Sequence, residues 1–234
     1  MPPEEPERGS ELAQDDSHFQ WHRISEVARL SLLTAGEHLR LARTSIEARQ
    51  VFPSAHFTVL RGALVGAAQA VWVLGPDTPH ERQQRGLTLI EEMYTELRKF
   101  YREVARTTLN EQERQKLECQ IAWCEERRNE ILSLRRDHGR LNQTEVIGWA
   151  LDHRFADAER RESGRLLWRQ MSADAHALGW SMFQRGDVVR HDHSSGLGVL
   201  ESGGDLLAIA QPFAAAHELL KSGWSLFDRR CEGP

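Results

Sequence analysis

PSAHFTVLRGALVGAAQAVWVL, residues 53–74, is the segment whose reading decides the fold. Pro53 and Ser54 suit a helix start, because proline arrives with a helical φ and lacks an amide hydrogen that the first turn would leave unbonded. Gly75-Pro76 closes the segment. Leu60, Leu64, Ala67, Ala68, Val71, Trp72 and Leu74 fall on nearly every side of such a helix instead of forming one stripe. A helix with no polar face belongs at the centre of a bundle. Gly62 and Gly66, with Ala70 one turn later, would let a neighbouring backbone come close. Arg61 and Gln69 break the apolar pattern; if enclosed, each is a structural polar residue that needs a partner.

Other helices can be read outward from this one. Upstream, Asp16 or Ser17 caps a long helix to about Gln50, with Ile24, Val27, Ala28, Ala35, Leu39, Ala42 and Ile46 recurring at helical steps. Downstream, Thr78-Pro79 starts a helix whose seam is Leu87, Ile90, Tyr94, Leu97, Phe100, Tyr101 and Val104. A fourth helix, from about Leu109 to Arg136, turns Leu117, Ile121, Cys124, Ile131 and Leu134 inward and a dense set of Glu and Arg outward, as solvent-facing ion pairs do. Asn142 or Thr144 caps a short helix through Leu151, and a stronger one is predicted from about Asp157 to Phe183. Asp187–Arg190 and Leu197–Leu200 are short strands round a polar turn, and Leu206–Phe227 is a last helix with Pro212 at its start or at a bend. The expected fold class is all-α: an antiparallel helical bundle of about six to seven helices with a small β-hairpin near residues 187–200. Residues 1–15, acidic and Pro-rich, read as a disordered leader, 16–228 as one helical domain and 229–234 as a flexible tail.

A chain of 234 residues with 40% hydrophobic content can bury one substantial core. The longest apolar run, Gly62–Leu74, is shorter than a bilayer span and contains Gln69, so no membrane association is expected. The opening residues lack the basic-then-apolar order of a signal peptide. Cys119, Cys124 and Cys231 are odd in number and lack the pair spacing of a zinc site; a reducing, cytoplasmic setting fits them. The net charge of −5 argues against indiscriminate nucleic-acid binding, although residues 1–20 carry six acids against Arg8 alone and leave the remainder close to neutral.

The helix around Gly164–Phe183 has two faces. At about 100° per residue, Leu167, Met171, Ala175, Leu178 and Met182 form a core face, and Arg161, Arg165, Arg169, Ser172 and His176 form a narrow polar stripe beside it. Trp180 and Phe183 continue that side as an aromatic patch suited to a partner or a nucleic-acid base. An imidazole can move a proton near neutral pH, and an arginine can stabilise a phosphate whose charge is rising. Arg169, Ser172 and His176 are therefore candidate catalytic residues for metal-free RNA cleavage, with Arg161, Arg165 and Trp180 as candidate nucleic-acid contacts. The other reading of the same residues is structural, with Arg169 and Ser172 bonded to neighbouring helices and His176 at an interface. Both remain open at this level.

The phrases Leu60-Arg61-Gly62-Ala63-Leu64, continuing through Ala67 to Trp72-Val73-Leu74, and Trp168-Arg169-Gln170-Met171-Ser172 with Ala175-His176 resemble the HEPN-like helical bundles, and an uncharacterised bacterial set of that architecture more closely. The likeness spans about residues 30–228; Arg82 and Arg85 after the central helix add little to it. It implies a bundle of four to seven helices, frequent homodimers, and a place in toxin–antitoxin, stress or phage-defence systems, with a protein partner such as an antitoxin. Active members of such a group are metal-independent ribonucleases using Arg, four to six intervening residues, then His. Arg169 and His176 have six between them. Related bundles often carry an acid after the central-helix arginine, whereas Val65-Gly66 stand there in this chain. Two functions are thus expected in order: a non-catalytic interaction or regulatory module, or a ribonuclease acting on RNA at a dimer-shared site.

Other constellations carry less. His18 and His22, with Asp15 and Glu26 at compatible steps, suit a metal or simply a surface, and His191-Asp192-His193 suits a metal, a phosphate or a polar turn. His217-Glu218 could meet the Arg169/His176 surface. No Glu-x-x-His, nucleophile elbow, phosphate-binding glycine loop or nucleotide fingerprint occurs, so no cofactor or metal is assigned.

Overall fold

Caps legible in the sequence set several helix boundaries in the computed structural model, which describes residues 5–201 and 203–233. The elements in chain order are α1 (Glu11–Asp16), α2 (Ile24–Glu47), α3 (Ala55–Leu74), α4 (Pro79–Val104), α5 (Glu111–Leu134), α6 (Gln143–Arg154), α7 (Ala158–Ala175), α8 (Trp180–Phe183), β1 (Asp187–Asp192), β2 (Leu197–Glu201) and α9 (Leu206–Cys231). Thr78 accepts the Glu81 amide and Pro79 fills the first position of α4. Asn110 and Glu113 form a reciprocal capping box at α5, each bond 2.9 Å. Asp157 caps α7 through the Arg160 amide, and Asp205 caps α9 through Leu207 and Ala208. The fold is an all-α bundle with one antiparallel hairpin, in which Arg190 faces Val199, His191 faces Gly198, and a bulge falls between Val188 and Arg190.

Where the sequence predicts one domain over 16–228, contacts divide the described residues into two compact units. The first holds residues up to Arg29, Val73–Asn142 and Phe227 onward, and the second Leu30–Trp72 and Gln143–Leu226; α2, α3 and α9 each contribute to both.

In the first unit, α1 stands where the sequence predicts a leader, and α2 begins at Ile24 instead of Asp16. Leu12 and Asp15 are fully buried. The physical reason lies at the end of α3, where the last carbonyls have no helical amide to bond and the following Gly75-Pro76 cannot continue the ladder. Two guanidiniums fill that need. Arg82, fully buried, donates from Nη1 to the carbonyls of Pro76 (3.2 Å) and Asp77 (3.0 Å). Arg230, also buried, donates to the carbonyls of Leu74 (2.6 Å) and Pro76 (2.8 Å).

Their counter-charges come from α1. Arg82 Nε meets Asp15 at 2.6 Å and its Nη2 lies 3.0 Å from Glu11, which also pairs with Arg230. Burial pushes the Asp15 carboxyl up, against the pull of Arg82, and pushes the Arg230 guanidinium down. The expected flexible tail is held as well: α9 runs to Cys231, whose carbonyl accepts the Glu7 amide at 3.0 Å.

The α4 seam is buried at Leu87, Ile90 and Tyr94, whereas Phe100 is exposed. Tyr94 meets Trp123 edge-on at 5.3 Å, and burial raises its phenol to about 12. On α5, Cys124 and Ile131 are buried as expected, joined by Arg127, which lies 4.0 Å over the Trp21 ring. Glu91 accepts from Arg128 and Arg135, and Glu125 pairs with Arg98 and Arg102, so part of the charge on and just after α5 is paired with α4.

In the second unit, α3 packs against α2 at the two glycines. A Cβ on Gly62 would stand 2.5 Å from the His38 ring, and one on Gly66 would stand 2.6 Å from the Ser31 carbonyl. Leu60, Leu64, Ala67, Ala68 and Val71 are fully buried. The helix Ala55–Leu74 is long and apolar enough, by length and composition, to cross a bilayer, and most of it is buried inside the fold. Gly204 lies against the Val51 carbonyl, so its lack of a side chain admits the chain between the hairpin and α9.

Removing one partner of a buried ion pair strands the other charge, which typically costs about 3–5 kcal/mol. Arg82→Leu should therefore lower unfolding stability in urea by about that amount, and Asp15→Leu/Arg82→Leu by less than the sum of the two single changes. Equal, additive losses would show that the pair is not coupled.

Candidate functional site on helix α7

The polar stripe of α7 is divided by what surrounds it. Asp152 on α6 takes its first half: Arg165 bonds both carboxylate oxygens at 2.6 Å, and Arg161 lies 3.6 Å from one of them and donates to the Phe155 carbonyl. These two candidate nucleic-acid contacts thus share one carboxylate within the unit. The second half has no such neighbour. Arg169 and His176 are exposed, and among the described residues neither side chain makes a hydrogen bond or ion pair.

Ser172, between them, receives an unexpected visitor. Arg61 reaches from α3 and donates through Nε to Ser172 Oγ at 3.3 Å, with its guanidinium carbon 4.8 Å over the Trp168 ring. Trp168 is buried and bonded to Thr144 Oγ1 through its indole nitrogen at 3.3 Å, so the platform under the guanidinium is fixed. Arg61 answers the requirement for a partner with a hydroxyl and an aromatic face instead of a carboxylate. Gln69 is half-buried.

The helix is shorter than its periodicity predicts. It ends at Ala175, with His176 as C-cap. Ala177 takes φ 53°, its amide bonds the Asp174 carbonyl at 3.1 Å, and the Leu178 amide bonds the Ala173 carbonyl at 2.8 Å. This pair of bonds is a Schellman turn with alanine at the left-handed position that glycine normally holds. The same device ends α2 at Arg49, φ 58°. Beyond the turn the wheel no longer applies. Leu178 and Met182, predicted on the core face, are exposed and half-buried, and Trp180 and Phe183 stand exposed on α8. The true inner face of α7 is Gly164, Trp168 and Met171, with Gly164 set tightly against Leu151.

Asp174, a stripe neighbour by sequence, is buried and paired with Arg185 at 2.6 Å, while Arg185 also covers Phe57 at 3.8 Å and bonds the Pro53 carbonyl. Glu218 is engaged by Arg154, not by Arg169 or His176, and this pairing holds its carboxyl below the usual range. A groove of about 690 Å³ lies between α7 and α9, lined by Phe155, Arg160, Ser163, Leu167, Gln211 and Glu218 among others, and contains none of the candidate residues.

The histidine pairs are not assembled into metal sites. His18 and His22 precede α2 and share no helix; His22 sits beside Glu26 at 3.6 Å and against Tyr94. His191 and His193 have ring centroids 5.0 Å apart, yet Asp192 between them turns to Ser194 and Ser195. No cluster of three or more His, Cys, Asp or Glu suited to a metal occurs among the described residues. The described cysteines are free thiols: Cys119 exposed, Cys124 buried and pushed up by that burial, and Cys231 half-buried.

The chain matches no family model, no curated protein and no solved structure.

Two consequences can be measured. Replacing Ala177 by glycine removes a left-handed penalty of roughly 1–2 kcal/mol, offset in part by the greater entropy of glycine in the unfolded chain. Ala177→Gly should thus raise stability by about 0.5–1 kcal/mol in urea, and Ala177→Val should lower it; a loss on going to glycine would refute the turn. In the hairpin, hydrogen bonds from Ser194 and Ser195 hold the Asp192 carboxyl at about 2, below its ordinary 3.8. Their stabilisation of the turn is complete above pH 3.8 and is lost as pH falls through 2. A carboxyl NMR titration should place the midpoint near 2 and return it toward 3.8 in Ser194→Ala/Ser195→Ala.

Proposed function

We propose that this chain is a HEPN-like bundle acting as a non-catalytic interaction module, of the kind used in bacterial stress responses or phage defence, with the end of α7 and α8 as its recognition face. The observation that carries this reading is that Arg169 and His176 are exposed and unheld. A general base needs a defined tautomer and a fixed direction, normally imposed by a hydrogen bond to its second ring nitrogen. His176 has no such bond among the described residues, and it is the C-cap that follows the last residue of its helix. Exposed side chains without partners suit recognition, where the partner supplies the order. The apolar surroundings support the same reading: Leu166, Leu178, Trp180 and Phe183 are all exposed, Phe183 by 69%.

A second reading, a metal-independent ribonuclease using Arg169 and His176 at a site shared by two copies, gains support from Arg61. Its guanidinium enters the stripe at Ser172 and adds a second arginine to a thin acid–base inventory.

The two readings separate in one assay. Mixed RNA substrates are incubated in EDTA with wild-type protein and with His176→Ala, whose fold and assembly mass are checked against wild type. No cleavage by either, across a range of protein concentrations, is the expected result. Cleavage that disappears in His176→Ala would overturn the interaction reading in favour of the ribonuclease.

A further inference from the structure

Arg61 is held in a way that leaves its binding end free. Nε is used on Ser172, and the ring of Trp168 supports the guanidinium. Among the described residues Nη1 and Nη2 have no partner, and neither is a buried atom. Ser172 Oγ accepts from Arg61, so its own O–H remains available to donate. Arg169 precedes Ser172 by three residues and His176 follows it by four, so both lie about one turn away on the same side. Asp152 is engaged by Arg165 and Arg161, and Asp174 by Arg185.

A fixed fork of two N–H groups, an adjacent hydroxyl donor and a second cation, with no carboxylate among them, is complementary to a tetrahedral oxyanion. We propose that Arg61, Ser172 and Arg169 form a binding site for a phosphate group. The inference rests on reading the α7 face as a recognition surface and assigns the chemistry recognised there. Arg61 is the anchor, because its orientation is set by α3, Ser172 and Trp168 before any ligand arrives and little side-chain freedom is lost on binding. Arg169, exposed and unheld, supplies charge more than geometry. Arg165 lies one turn further back, and its Nη2 is drawn away to the Asp152 carboxylate.

The test is a ¹H–¹⁵N NMR titration of the full chain at constant ionic strength in sodium chloride, following the Trp168 indole and arginine Nε resonances. Inorganic phosphate and O-phosphoserine are added in separate arms. Saturable shifts centred on Arg61 and Trp168 are expected. Arg61→Met should weaken binding at least about tenfold, the loss expected for a charge-assisted bidentate contact. Arg61→Lys should weaken it nearly as much, because the charge is kept and the fork is lost.

Ser172→Ala, a small change at a half-buried hydroxyl, should cost about threefold and keeps the test valid if an Arg61 variant does not fold. Arg165→Gln should bind as wild type does. Tighter binding of phosphoserine supports the site and assigns it to a phosphomonoester on a partner, whereas equal binding supports it as a site for the free anion. Shifts that are absent, non-saturable, or unchanged in the Arg61 and Ser172 variants would overturn the proposal. RNA cleavage dependent on His176 would overturn the interaction reading while leaving this site standing, so the two failures are distinguishable.

Discussion

A helix that is apolar round its whole circumference must be enclosed, and α3 imposes that constraint on everything else in this chain. Enclosure needs neighbours at short range. Gly62 and Gly66 provide one such approach by removing the side chains that would meet His38 and the Ser31 carbonyl on α2. Enclosure also raises the cost of any polar group the helix carries, and α3 meets two of these demands by different means. Its last carbonyl, Leu74, is bonded by Arg230 and those of Pro76 and Asp77 just beyond it by Arg82, and the charges of the two arginines are in turn met by Glu11 and Asp15. Its one arginine, Arg61, extends to the Ser172 hydroxyl and the Trp168 face.

This accounts for the order of the amino-terminal residues better than composition does. Six acids among the first twenty residues look like a solvated leader when counted. Two of them are counter-ions for buried arginines that lie 67 and 219 positions away along the chain. The pairing is invisible to any local pattern, because what draws α1 into place is the set of bare carbonyls after Leu74. Leu12, fully buried, adds an apolar contribution to the same docking.

Much else was legible. Thr78-Pro79 is a cap with a physical mechanism, and the helices expected from there, from about Leu109 and from about Asp157 begin close to those positions. The hairpin followed from two short apolar runs round a polar turn. The end of α7 was not legible, since alanine at a left-handed C-cap position carries no sequence signal; Gly179, two residues later, was the only hint. That single break moved Leu178 from the expected core to the surface and detached Trp180 and Phe183 from the wheel. The helical spacing of Arg169, Ser172 and His176 survived because all three precede the turn. The arrival of Arg61 at Ser172 was beyond reach, as it joins residues 111 apart.

The distribution of charge along α7 then follows from which neighbours each turn meets. Its first turns face Asp152 on α6, and Arg161 and Arg165 are spent there. Its last turns meet Arg61, which brings a like charge instead of a carboxylate. Bringing like charges together in the absence of a counter-ion is unfavourable by Coulomb's law, although screening at an exposed surface keeps the penalty small. Enclosure of α3 explains why Arg61 takes the Ser172 hydroxyl and the Trp168 face; an anion bound at its free end, as proposed, would offset the charge that Arg169 adds one turn away. The amino-terminal half of the stripe shares the Asp152 carboxylate within the folded chain, and its carboxy-terminal half is where the proposed anion would add the missing negative charge.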